Sequence, residues 1–173
     1  MPTAAPRLGL ALGAERVVAV GRNPDSLEEL ARALGPRLVP VAHVGKSDRD
    51  VAALREATGG GAQIVLDMVG GATDASSTLA GLRSLHRNGR LILMGSMSVP
   101  LPVPYLELMA NNWAIIGNFM YPADAPTRLL CLIRAGLLDV RAIGTRTFPL
   151  DALPAAMDAA AEAKSSSCVV MTS

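Results

Sequence analysis

Val17-Val18-Ala19-Val20-Gly21-Arg22-Asn23 is the stretch whose reading decides the fold. Four apolar residues, three of them β-branched, predict a strand buried on both faces, as in the middle of a parallel sheet. The strand ends on Gly21-Arg22-Asn23. Asn23 then suits a helix N-cap and Pro24 the first helical position, and Leu27, Leu30, Ala31 and Leu34 recur on one helical face. The unit is a strand, a tight turn and a helix.

Outward from it, length and composition bound the possibilities. A chain of 173 residues is one domain of ordinary size, long enough for a sizeable core. Lys plus Arg number 16 against 15 Asp plus Glu, and aromatics are 3%, so neither a basic face nor stacking aromatics point to nucleic acid. Cys131 and Cys168 lie far apart with no CxxC pairing, which fits a reducing, cytoplasmic setting. The apolar run Leu8 to Ala14 after Arg7 is too short for a signal peptide, and no run of apolar residues is long enough to span a bilayer, so no membrane partner is expected.

Strand and helix alternate along the chain. Ala4 to Leu12 read as a helix ended by Gly13. After Gly35-Pro36, Leu38 to Ala42 make a strand whose Pro40 predicts an edge position. Ser47 can cap a helix carrying Val51 and Leu54 inward. Ala62 to Gly71 predict a buried strand with Asp67 near its carboxyl end. A helix from about Asp74 to His86 presents Leu79, Leu82 and Leu85, closed by Asn88-Gly89 before a strand from Arg90 to Ser96. A short helix near Leu106 to Ala110, a strand from Trp113 to Asn118 and a helix from Pro126 to Ala135 follow. The tail differs: Arg146 to Leu150 is extended, Asp151 caps an alanine-rich helix from Ala152 to Ala163, and Cys168 to Met171 form a last strand that need not belong to the main sheet.

This alternation calls for a parallel sheet with right-handed crossovers, whose ligands bind at the strands' carboxyl ends. Four strands end in glycine there, at Gly21, Gly70, Gly95 and Gly117, as a ligand lying across the rim requires. At the second strand of a doubly wound nucleotide-binding sheet, an acid bonds the adenosine 2′-hydroxyl and an arginine accommodates a 2′-phosphate. The chain offers Arg22 and no acid.

The ordered set VVAVGRN, GAQIVLDMVGG, GRLILMGSMS, WAIIGNFMYP and FPLDALPAAMDAA resembles the carboxyl-terminal two-thirds of a cofactor domain of the medium-chain alcohol dehydrogenase and quinone reductase superfamily. The resemblance implies an α/β, Rossmann-like, doubly wound parallel sheet over residues 1–144, and a carboxyl-terminal segment over 145–173 that in the family packs back on the substrate domain. It implies an NADP(H)-binding portion of an oxidoreductase moving a hydride between nicotinamide and an alcohol, carbonyl, quinone or enone. Gly21, Arg22 and Asn23 match the cofactor-selecting position; Asp67, Val69 and Gly70 the fourth-strand end beside the riboses; Gly95 and Ser96 the fifth; Gly117, Asn118 and Phe119 the sixth-strand exit that holds the nicotinamide carboxamide. The strand from Trp113 to Gly117 also implies pairing across a homodimer.

The departures are as informative. The family's glycine-rich phosphate loop should stand just before Ala4, where Met1 to Pro6 contain no glycine, so the sheet is expected to be incomplete at its amino end, without first strand or loop. Two central edges are then either unpaired or forced together, with each unpaired buried backbone group costing about 1–3 kcal/mol. No catalytic residue is assigned, and a zinc site is not expected, because His43, His86, Cys131 and Cys168 lack ligand spacing. His86 is read as a cation at a helix end and Cys131 as a core residue, while His43, following the edge strand, is read as a solvated loop residue in preference to one lining the adenine pocket. Neither Tyr105 nor Tyr121 stands four residues before Lys46 or Lys164, which excludes a short-chain reductase motif, and there is no nucleophile elbow. The other reading is a truncated, inactive remnant or a module that only binds nucleotide.

Overall fold

The computed structural model describes residues 3–45, 47–141, 143–163 and 167–173; Met1, Pro2, Lys46 and Lys164 lie outside them. In chain order the elements are α1 (Ala4–Ala11), β1 (Val17–Gly21), α2 (Pro24–Leu34), β2 (Leu38–Ala42), α3 (Ser47–Ala57), β3 (Ala62–Asp67), α4 (Ser76–Arg83) and β4 (Leu85–Leu93). They continue as α5 (Tyr105–Asn111), β5 (Ala114–Gly117), α6 (Ala125–Arg134), β6 (Gly144–Pro149), a 3-10 turn (Leu150–Ala152), α7 (Leu153–Glu162) and β7 (Ser167–Thr172).

The β1–α2 junction forms as its chemistry dictates. Asn23 is extended, its Oδ1 accepts the Ser26 N–H at 3.2 Å, and Pro24 opens the helix. Gly35, at φ +78, stops it. Leu27 and Leu30 are buried against Ala19 and Leu38, with Val17, Ala31 and Leu34 packed around them. A second core joins Leu82, Leu85, Leu91 and Trp113, supported by Val65, Leu93, Leu108 and Ile115.

All strand pairings are parallel. β1 pairs with β2, with Gly21 opposite Ala42, and Pro40 sits on that outer strand. A separate three-stranded sheet has the order β3-β4-β5, and β6 pairs with β7 in a third. The expected choice between unpaired and merged central edges is thereby decided: among the described residues β1 and β3 each keep one unpaired edge. Nor are these strands covered on both faces as the apolar runs suggested. Val20 is 39%, Ile64 64% and Leu66 42% exposed, because α2 and α4 each seal one face only.

The largest local correction concerns α4 and β4. The helical spacing of Leu79, Leu82 and Leu85 is broken by Ser84, whose hydroxyl donates to Gly81 O at 2.8 Å while its own carbonyl accepts the Ala62 N–H at 3.0 Å. The chain turns into the sheet there, six residues before the expected strand start at Arg90. Leu85 stands opposite Ala62 and Arg90 opposite Ile64, so the residues between bulge outward. Asn88 takes a φ of +65 in this bulge, and a Cβ at Gly89 would lie 2.8 Å from His86 O. His86 is thus an exposed strand residue rather than a cation at a helix end, and its carbonyl accepts the Trp113 indole N–H at 3.0 Å. Cys131 is exposed on α6 rather than part of the core. Ser47 is the first residue of α3 rather than its cap, and Asp151 lies in the 3-10 turn ahead of α7.

In the tail, β6 pairs with β7 in a sheet of their own, with α7 between them in sequence. Ala156 and Ala159 are the buried residues of α7. No helix of the described residues is long and apolar enough to cross a membrane.

Candidate functional site: the carboxyl rim of the strands

The rim residues fall into two groups. At the ends of β3, β4 and β5, backbone hydrogen bonds stitch the turns together: Met94 N–H to Asp67 O at 2.9 Å, Ser96 N–H to Val69 O at 3.1 Å and Asn118 N–H to Leu93 O at 2.9 Å. The Gly71 N–H donates to both the carbonyl and the hydroxyl of Ser96, each at 3.1 Å. Val69, Gly70, Gly95 and Ser96 therefore form one rigid corner.

Asp67 is 9% exposed and anchors that corner. Its Oδ1 accepts the Val69 N–H at 2.9 Å and its Oδ2 the Thr78 hydroxyl at 2.8 Å. Both oxygens are engaged inside the protein, so the carboxylate fixes the turn that follows it. Thr78 did not stand out in the sequence; a hydroxyl in the first turn of α4 was the available signal.

The rim glycines divide by cause. A Cβ at Gly95 would lie 2.4 Å from Val69 O, so protein backbone alone requires that glycine. A Cβ at Gly117 would meet nothing within 4 Å, and at Gly70 only the Ser96 hydroxyl at 3.6 Å. Beyond Gly117, the Asn118 amide donates to Met120 O at 3.1 Å, Met120 takes a φ of +64, and Phe119 stands 95% exposed.

Gly21, Arg22 and Asn23 lie apart, at the end of β1 on the other sheet. Arg22 is exposed and makes no hydrogen bond or ion pair among the described residues. Next to it the structure corrects the reading of His43. Its side chain is only 14% exposed and its Nδ1 lies 3.0 Å from Asp50 Oδ2, on a carboxylate that is itself 4% exposed. Asp50 escaped the sequence reading because charged residues in a helix's first turn are ordinarily solvated. In the β3–α4 loop, Ser76 donates from hydroxyl and backbone to Asp74 and holds that carboxyl below its usual range.

At β3–β5 the rim presents backbone groups, and at the end of β1 it presents a charged side chain. The sequence profile of a family described as zinc-binding dehydrogenase matches residues 3–134. The chain belongs to that family. It is part of the medium-chain dehydrogenase and reductase superfamily. A putative D-xylulose reductase of Rhizobium meliloti is 34% identical to this dehydrogenase-family chain over 114 residues, covering 65% of the chain and 32% of the relative. Among solved structures, 2R,3R-butanediol dehydrogenase from Bacillus subtilis superposes with a TM-score of 0.78 at 19% identity, over 99% of this chain and 47% of the other. Benzyl alcohol dehydrogenase from Acinetobacter calcoaceticus gives 0.77 at 17% identity, over 98% and 46%. An E. coli short chain alcohol dehydrogenase complexed with NADH gives 0.76 at 16%, over 99% and 49%. The chain thus spans less than half the length of these proteins, and the likeness to the solved structures establishes the Rossmann-like fold.

The family's name implies zinc. Among the described residues no three His, Cys, Asp or Glu side chains stand together as a metal site. That donor set does not fit a zinc site among the described residues.

Proposed function

We propose that this chain is the NADP(H)-binding portion of a medium-chain oxidoreductase that moves a hydride between nicotinamide and an alcohol, carbonyl, quinone or enone. The observation that carries the reading is Arg22: an exposed guanidinium without a protein partner at the end of β1, where the strand offers no acid to bond a ribose hydroxyl. Its fork of donors matches a phosphate. The open space at Gly117 and the backbone corner at Val69-Gly70 and Gly95-Ser96 suit the ribose and nicotinamide portions, with Asp67 holding the corner in place. Gly21 and Asn23 frame Arg22, and Gly117, Asn118 and Phe119 offer backbone groups to the carboxamide. When bound, the dinucleotide supplies the hydride chemistry; these residues bind and orient it. The substrate pocket belongs, in this reading, to sequence outside this stretch.

The unpaired outer edge of β5 supports homodimer pairing through Trp113 to Gly117, and the two free thiols suit the cytoplasm. The test is thermal unfolding of this chain with NADPH and with NADH. NADPH at a hundredfold over its dissociation constant is expected to add about 2.7 kcal/mol. Arg22→Ala is expected to abolish the preference for NADPH over NADH. An unchanged NADPH affinity in that variant would refute the assignment.

A further inference from the structure

The parallel ladder between β1 and β2 runs one rung past both strands: the His43 N–H donates to Gly21 O at 2.9 Å. Gly21 stands opposite Ala42, so Arg22 and His43 are the residues that directly follow the carboxyl ends of these two paired strands. The imidazole is held there by α3. Asp50, buried, takes the ring's Nδ1 at 3.0 Å on one oxygen and the Val44 N–H at 2.9 Å on the other. A carboxylate only accepts, so the Nδ1 carries a hydrogen and the tautomer is fixed. Nε2 has no hydrogen-bond partner among the described residues and is not sealed from solvent.

We propose that His43 is a second residue selecting the cofactor's 2′-phosphate, its Nε2 donating to the phosphate that Arg22 binds; the proposal rests on the dinucleotide reading above. Nε2 donates only when the ring carries its second proton, so proton and 2′-phosphate bind together. The charged groups around the ring are Asp50 on α3 and Asp74 in the β3–α4 loop, with Arg22 at the end of the neighbouring β1. Asp50 acts through the ring and is a positioning residue.

Calorimetric titration of this chain with NADPH, NADH, 2′,5′-ADP and 5′-AMP, at about pH 6 and about pH 8, tests this. His43→Gln is expected to weaken NADPH and 2′,5′-ADP by about tenfold at the lower pH and to leave NADH and 5′-AMP unchanged. The preference for NADPH over NADH should fall about tenfold more between the two pH values in the parent chain than in His43→Gln. The phosphate's own titration near pH 6 is common to both and cancels in that comparison. His43→Lys, a permanent cation at neutral pH, should restore NADPH binding with a flattened pH profile, and it decides the matter if His43→Gln does not fold. Equal losses for NADPH and NADH, or no loss in either, would overturn the role of His43 and leave it a brace for the loop. A parent chain that binds neither dinucleotide would overturn the dinucleotide reading itself, and this proposal with it.

Discussion

The β1–β2 pair packs Ala19 and Leu38 against Leu27 and Leu30 of α2, whereas the β3–β4–β5 sheet packs Leu85 and Leu91 against Leu82 of α4 and Trp113. Each half buries its own apolar residues through a local strand–helix–strand crossover, which is why two cores exist without a strand joining them. Their carboxyl ends differ in kind. The larger sheet ends in a corner closed by backbone hydrogen bonds and by Asp67, while the smaller pair ends in polar side chains, Arg22 after β1 and the Asp50-held His43 after β2. Fixed backbone suits the positioning of a ligand, and chargeable side chains suit the choice between ligands that differ by a phosphate.

The strongest way to break this comparison is Leu91→Ala. Leu91 is fully buried, so truncation should cost about 2–5 kcal/mol, measured by urea unfolding. With two separate cores, native-state hydrogen exchange should show lost protection in β3, β4 and β5 while β1 and β2 keep theirs. Equal losses in both halves would show that they unfold as one.

Next in size is a pair of rim glycines. Gly95→Ala forces a Cβ onto Val69 O and should destabilise by about 1–3 kcal/mol. Gly117→Ala meets open space and should lie within about 0.5 kcal/mol of the parent, yet weaken NADPH in the binding titration. A Gly117→Ala variant with unaltered affinity would move the nicotinamide away from β5.

The smallest effect lies outside both halves. Asp139 is held by the Arg141 guanidinium and N–H, which lower its carboxyl to about 2. A folded-state pKa below the unfolded one gives stability that is present above the ordinary carboxylate range and lost as pH falls through the folded value. Asp139→Asn should therefore melt slightly below the parent near neutral pH, and the two midpoints should converge as pH falls toward about 2. A difference that persisted in acid would show a role for Asp139 other than its pairing with Arg141.

What the sequence determined by itself was local or periodic. Asn23 and Pro24 start α2 because cap geometry needs only neighbouring residues, Pro40 marks an outer strand because it lacks an N–H, and alternating strands and helices imply parallel pairing. The rim positions follow from the strand ends. Only the tertiary structure decided where those signals compete. Leu79, Leu82 and Leu85 fit a helix until Ser84 meets the Ala62 N–H, a partner 22 residues away in sequence. Asp50 and His43 look solvated until β2 and α3 bring them within 3.0 Å. Cys131 has the spacing of a core residue, but its side chain on α6 is exposed. Gly95 reads as a ligand glycine, yet Val69 O alone excludes its side chain. Periodicity records which face a residue occupies, whereas burial and pairing depend on what another part of the chain sets against that face.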